Sequence, residues 1–212
     1  MFFFQTEGCR KEVVETMIGR KARWLVILAF IGLLVLGGVS LLSKSCNASG
    51  QVLDLPDGSK YEGNVVNGKP HGKGIQTWPD GERYEGDFVD GKSHGKGTYT
   101  WPDGERYEGN FVDGKFHGKG TYTWPDGERY EGDWVHDKMH GKGTYTYADG
   151  SRYEGDIVDD KMHGKGIYIY ADGERYEGDF VDNKRHGYGT LKDKNGKILE
   201  KGRFVNDEYA GP

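Results

Sequence analysis

The stretch Arg83–Glu105, RYEGDFVDGKSHGKGTYTWPDGE, is followed at once by a near copy from Arg106 to Glu128, and the same 23-residue step governs most of the chain. Tyr61, Tyr84, Tyr107, Tyr130, Tyr153 and Tyr176 each open a Tyr-Glu-Gly triplet, and His71, His94, His117, His140, His163 and His186 keep the same interval. A period this strict makes each unit one supersecondary element that buries its apolar face only by stacking on its neighbours. The fold is therefore expected to be a repeat array. Gln51–Gly58 reads as an opening half unit, and six full units start at Lys60, Arg83, Arg106, Arg129, Arg152 and Arg175. The last decays after His186 into YGTLKDKNGKILEKGRFVND, the loss of consensus that a terminal cap requires.

Within a unit the pattern alternates with period two, which is the signature of strands. Tyr84, Gly86 and Phe88 fall on one face and Glu85 and Asp87 on the other, while Gly97, Tyr99 and Trp101 oppose Thr98 and Thr100. Trp101-Pro102-Asp103-Gly104 supplies one turn, with Pro fixing φ and Gly free to go left-handed. Asp90-Gly91 supplies the other; where its Gly is replaced, the substitutes are Asp137, Asp160 and Asn183, which tolerate positive φ. Two strands per unit plus the half units predict an all-β, elongated, single-layer, twisted antiparallel meander of about fourteen strands, roughly 60 to 70 Å wide at about 4.8 Å per strand. The chain is poor in aliphatic residues, which would favour disorder, but its aromatic rings alternating with Gly can pack over bare backbone and bury large areas.

Tyr107-Glu108-Gly109-Asn110-Phe111, Gly114 and His117-Gly118-Lys119-Gly120 carry a pattern that resembles the MORN repeat, and the resemblance covers residues 51 to about 206. It implies an elongated antiparallel sheet used for protein binding, scaffolding and, in some members, contact with membranes and phospholipids. Departures lie at Ile157, Tyr188 and the final unit. Other members carry a kinase or methyltransferase domain beside the repeats; these 212 residues are expected to leave no room for one.

Ahead of the array, Trp24–Leu42 reads WLVILAFIGLLVLGGVSLL, 19 residues without a charge. At about 1.5 Å rise per residue this nearly crosses a hydrocarbon core, so 24–42 is expected to be a transmembrane helix or signal anchor. Arg10, Lys11, Arg20, Lys21 and Arg23 precede it and only Lys44 follows closely. Residues 1–23 are then a basic cytosolic N-terminus, 43–50 a linker, the array at 51–206 extracytoplasmic, and 207–212 a tail. The alternative is a cleaved signal, with translation from Met17 giving a short basic leader and the array secreted or periplasmic. Cys9 and Cys46 flank the apolar run, so no disulfide framework is expected, and Asn47-Ala48-Ser49 is read as a chance glycosylation pattern.

The net charge of −5 is unevenly divided: residues 1–50 hold six Lys/Arg and three Asp/Glu, leaving 23 against 31, or −8, on the rest. An acidic array argues against nucleic acid. It also disfavours anionic lipid, although Lys92, Lys96, Lys115 and Lys119 could form a local basic edge. Successive histidines would sit two strands apart, about 10 Å, too far for one metal ion. Gly91-Lys92-Ser93-His94-Gly95-Lys96-Gly97 lacks the spacing of a phosphate loop. No enzyme, metal or cofactor is therefore expected. The repetition instead makes an aromatic strip, Tyr84, Phe88, Tyr99, Trp101, Tyr107, Phe111, Tyr122, Trp124, Tyr130, Trp134, Tyr145 and Tyr147, with no other element in the array to cover it. Such rings serve as a single-layer core, as a groove for a protein partner, or as both. The first functional reading is a membrane-anchored scaffold that binds a protein or another copy of itself; the second is a phospholipid-contacting tether.

Overall fold

The computed structural model describes residues 47–212. They form one antiparallel sheet of fifteen strands whose spatial order is the order of the sequence. The strands are β1 (Asn47–Asp54), β2 (Lys60–Val66), β3 (Lys69–Thr77), β4 (Arg83–Val89), β5 (Lys92–Thr100), β6 (Arg106–Val112), β7 (Lys115–Thr123), β8 (Arg129–Val135), β9 (Lys138–Thr146), β10 (Arg152–Val158), β11 (Lys161–Ile169), β12 (Arg175–Val181), β13 (Lys184–Lys192), β14 (Ile198–Val205) and β15 (Glu208–Gly211). Each pairs only with its sequence neighbours, the connectivity that short hairpin turns alone can build.

The expected fold class needs correction. The strands number fifteen rather than about fourteen, because the chain turns once more at Asn206 and Asp207, with φ of 52° and 75°, and β15 pairs with β14. That strand lies where the sequence reading places a tail, and β1 begins at Asn47, inside the expected linker. The described residues contain no helix, so the transmembrane helix drops out of the fold class. The segment 24–42 assigned to it lies outside the described residues, as do Cys9 and Cys46.

Turn chemistry explains the hairpins. Asp90 and Gly91 both have positive φ, 50° and 89°, the type I′ geometry that matches strand twist. Asp137, Asp160 and Asn183 adopt φ of 69°, 68° and 71° at the Gly91 position. At the other end Trp101 N–H donates to the Glu105 carbonyl at 3.0 Å and Gly104 N–H to the Trp101 carbonyl at 3.1 Å. Between these turns each hairpin carries a bulge. Gly86 of β4 faces Gly97 of β5, but Asp87 faces His94, which leaves Gly95 and Lys96 unopposed. Gly95 takes the left-handed conformation, φ 61°, and such a bulge bends and twists its strand. The same slip recurs in β6–β7, β8–β9 and β10–β11.

The core follows from glycine. Tyr84 lies along its own strand over Gly86 and against Gly97 of β5, and its hydroxyl donates to the Asp87 carbonyl at 2.9 Å. A Cβ on Gly97 would stand 2.4 Å from that hydroxyl oxygen, and one on Gly86 would stand 2.6 Å from the Gly97 Cα, so neither position has room for a side chain. Tyr61, Tyr84, Tyr107, Tyr130, Tyr153 and Tyr176 are all fully buried in this way. Between them stand Phe88, Phe111, Trp134, Ile157 and Phe180, giving edge-to-face contacts such as Tyr84–Phe111 at 4.8 Å and Tyr107–Trp134 at 5.3 Å. Each such pair adds about 0.5–1.5 kcal/mol beyond its burial, and the spine they form replaces the second layer that most sheets need.

Candidate functional site

The second strand of each central hairpin ends in aromatic-Thr-aromatic, the last residue opening the Pro- or Ala-containing turn. Stacking neighbouring hairpins therefore aligns these rings. Centroid separations run Trp78–Tyr99 5.5 Å, Tyr99–Trp101 4.5 Å, Trp101–Tyr122 5.4 Å, Tyr122–Trp124 4.5 Å, Trp124–Tyr145 5.4 Å, Tyr145–Tyr147 4.5 Å, Tyr147–Tyr168 5.8 Å and Tyr168–Tyr170 4.7 Å. All these rings are half-buried, packed on the spine below and open above. The hydroxyls of Tyr99, Tyr122 and Tyr145 donate to the carboxylates of Glu82, Glu105 and Glu128. The backbone N–H groups of those glutamates are held in turn by Asp80, Asp103 and Asp126 at 3.1, 3.0 and 3.0 Å. Burial first, and then the neighbouring carboxylate, pushes the phenols of Tyr99, Tyr122 and Tyr145 well above their ordinary value. Burial followed by the Tyr168 and Glu128 charges takes Tyr147 up to about 12.

The structure divides the twelve aromatic candidates in two. Tyr84, Phe88, Tyr107, Phe111, Tyr130 and Trp134 belong to the buried spine. Tyr99, Trp101, Tyr122, Trp124, Tyr145 and Tyr147 belong to the half-exposed ladder. Trp78, Tyr168 and Tyr170 complete the ladder at its ends; they were legible as Trp101, Tyr145 and Tyr147 shifted by one period.

The opposite face is polar and concave. One open groove of 1510 Å³ runs from Lys119 to Pro212 and a second of 1020 Å³ from Gly50 to Lys119, both floored by the Gly pairs and flanked by Glu, Thr and Lys. Its charges are largely matched. Lys73–Asp87 at 2.8 Å, Lys119–Asp133 at 2.7 Å, Lys142–Asp156 at 2.5 Å and Lys165–Asp179 at 2.6 Å bridge adjacent strands. Arg83–Glu85, Arg106–Glu108 and Arg129–Glu131 pair within strands at 2.6, 2.6 and 2.7 Å. The Lys142 ammonium, against some burial, holds the Asp156 carboxyl below its usual range. At Asp133 and Asp179 burial pushes upward, and Lys119 or Lys165 with a backbone N–H outweighs it, so both end low. Opposite Lys96 stands Asn110, so this row of ion pairs is interrupted there. Among the described residues no group of three or more His, Cys, Asp or Glu side chains converges on a metal position.

A family model described as MORN repeat matches six consecutive segments, residues 61–83, 84–106, 107–129, 130–152, 153–175 and 176–198. No curated protein matches the sequence. Among solved structures, the chain is similar to the Drosophila melanogaster SAS-4 TCP domain in complex with a proline-rich motif of Ana2, at 15% identity and TM-score 0.43, covering 82% of this chain and 99% of that one. It is also similar to the TCP10c domain of Drosophila melanogaster Sas-4, at 15% identity and TM-score 0.40, covering 72% and 98%. The TCP10 domain of Danio rerio CPAP with a STIL peptide gives 15% identity, TM-score 0.25 and coverage of 73% and 99%. Similarities at this level say nothing about what this chain binds.

Proposed function

The chain belongs to the MORN-repeat family, and from that premise we propose that it is a non-enzymatic scaffold whose half-exposed aromatic ladder, Trp78 to Tyr170, binds an elongated segment of a protein partner. The observation that supports this reading is the continuity of the ladder: its rings follow one another at 4.5 to 5.8 Å with nothing among the described residues laid over them. Aromatic side chains anchor protein interfaces because they bury much area for little rotamer entropy. Here the Glu82, Glu105 and Glu128 contacts fix three of the tyrosines in advance.

The non-enzymatic part of the proposal rests on the aspartates that pair with the groove lysines. A general acid needs a raised pKa, whereas Asp133, Asp156 and Asp179 are held low by their lysines. The same pairing weakens the lipid reading, since four of the six groove lysines already face an aspartate.

The test is proximity crosslinking of the full-length chain in its own cells, comparing wild type with Trp101→Ala/Trp124→Ala after circular dichroism confirms that the variant keeps its β signal. Loss of a specific crosslinked protein from the folded variant is expected. An unchanged set of crosslinked proteins would overturn the assignment to the ladder.

A further inference from the structure

Two of the periodic histidines stand near the turn carboxylate of the next unit: His71 Nδ1 lies 3.9 Å from Asp90 Oδ1, and His140 Nδ1 lies 3.6 Å from Asp159 Oδ1. Across the hairpin His140 is also paired with Asp133, and His163 with Asp156. His117 lacks both carboxylates. Its cross-strand partner is Asn110, and the turn position that holds Asp in the neighbouring units is His136, whose ring centroid is 5.7 Å from that of His117 at an interplanar angle of 64°.

We propose that His117 and His136 form a two-histidine site for a divalent transition-metal ion such as zinc. Imidazole nitrogens about 2.0–2.1 Å from one ion bring their rings to roughly 5 to 6 Å apart, which is the separation already present. The Nδ1 atoms of His71, His117 and His140 are all buried and make no hydrogen bond. In His71 and His140 that atom has a carboxylate oxygen 3.9 and 3.6 Å away, whereas the turn residue beside His117 is a second imidazole. The turn is held beside His117 by the clamp that recurs along the array: Asp137 Oδ1 accepts the Phe116 N–H at 2.8 Å, and Asp137 N–H donates to the Phe116 carbonyl at 3.2 Å. His136 sits at φ 50°, as do its counterparts Asn67, Asp90, Asp113, Asp159, Asp182 and Asn206 at 48° to 52°, and histidine, like asparagine and aspartate, tolerates that conformation. The two-strand gap between periodic histidines does not bear on this pair, because His136 lies in the β8–β9 turn. Two protein ligands leave the remaining positions of the ion to water.

The test is calorimetric titration of the full-length chain with zinc chloride, with a thermal melt as second readout. The comparison is His136→Asn, which keeps the residue type found at Asn67 and Asn206 and so preserves the turn; Cys9 and Cys46 are common to both proteins. Wild type is expected to bind one equivalent of zinc more than the variant, or the same equivalent at least tenfold tighter, with a zinc-dependent rise in Tm that the variant lacks. His140→Gln should bind as wild type does. Equal titrations for wild type and His136→Asn, or no binding by wild type, would overturn the site.

Discussion

A Cβ added at Gly120 would meet the Tyr107 hydroxyl oxygen at 2.3 Å and its Cζ at 2.5 Å. Tyr107 has nowhere to swing: Phe116 stacks on it at 3.8 Å, and Phe111 and Trp134 close its edges at 5.1 and 5.3 Å. Gly120→Ala should therefore cost about 1–3 kcal/mol, the range of overpacked cores, while the exposed Lys115→Ala should stay within about 0.5 kcal/mol. Urea denaturation of both variants checks this, and a Gly120→Ala midpoint equal to wild type would show that the backbone yields. The Tyr-x-Gly spacing already announced that ring and glycine share a face. It did not separate Tyr84 from Tyr99, which are chemically identical, lie on the same face and pair directly across β4 and β5. Tyr84 ends fully buried because bare backbone lies beneath it, whereas Tyr99 reaches outward to Glu82.

The two-residue turns do more than reverse the chain. Sequence explains Asp137, Asp160 and Asn183 by their tolerance of positive φ; the structure adds that their side-chain oxygens accept the N–H of Phe116, Met139 and Met162, each at 2.8 Å, on the preceding hairpin. Asp207 does the same for Arg185. The turn thus fastens one unit to the last, a role that the Gly at positions 91 and 114 fills with its backbone N–H alone. Asp160→Asn should be close to neutral in a thermal melt. Asp160→Ala loses the bond and keeps a strained φ of 68°, and should cost about 2 kcal/mol. If the two variants melt together, the side-chain bond contributes nothing. The bulge at Gly95 was not legible, because His-Gly-Lys-Gly reads equally well as plain alternation until a partner strand fixes the register.

Since every strand pairs only with its sequence neighbours, the array behaves as a one-dimensional stack whose stability is a sum over units and interfaces. Removing residues 152–174 joins Ser151, which stands where Glu174 does in its own turn, to Arg175. The shortened chain should retain cooperative unfolding and its β circular dichroism at a lower Tm; a chain that fails to fold would show that stabilisation reaches beyond adjacent units. At this scale the 23-residue period determined the meander, the place of nearly every strand and turn, and which residues share a face, because a period-two pattern closed by Pro-Asp-Gly and Asp-Gly turns allows little else. The tertiary structure alone decided which aromatics form the spine and which the open ladder, how the groove charges pair, and that His117 meets His136. Those outcomes depend on bulge, twist and register between strands, and these set distances that a sequence of nearly identical units does not encode.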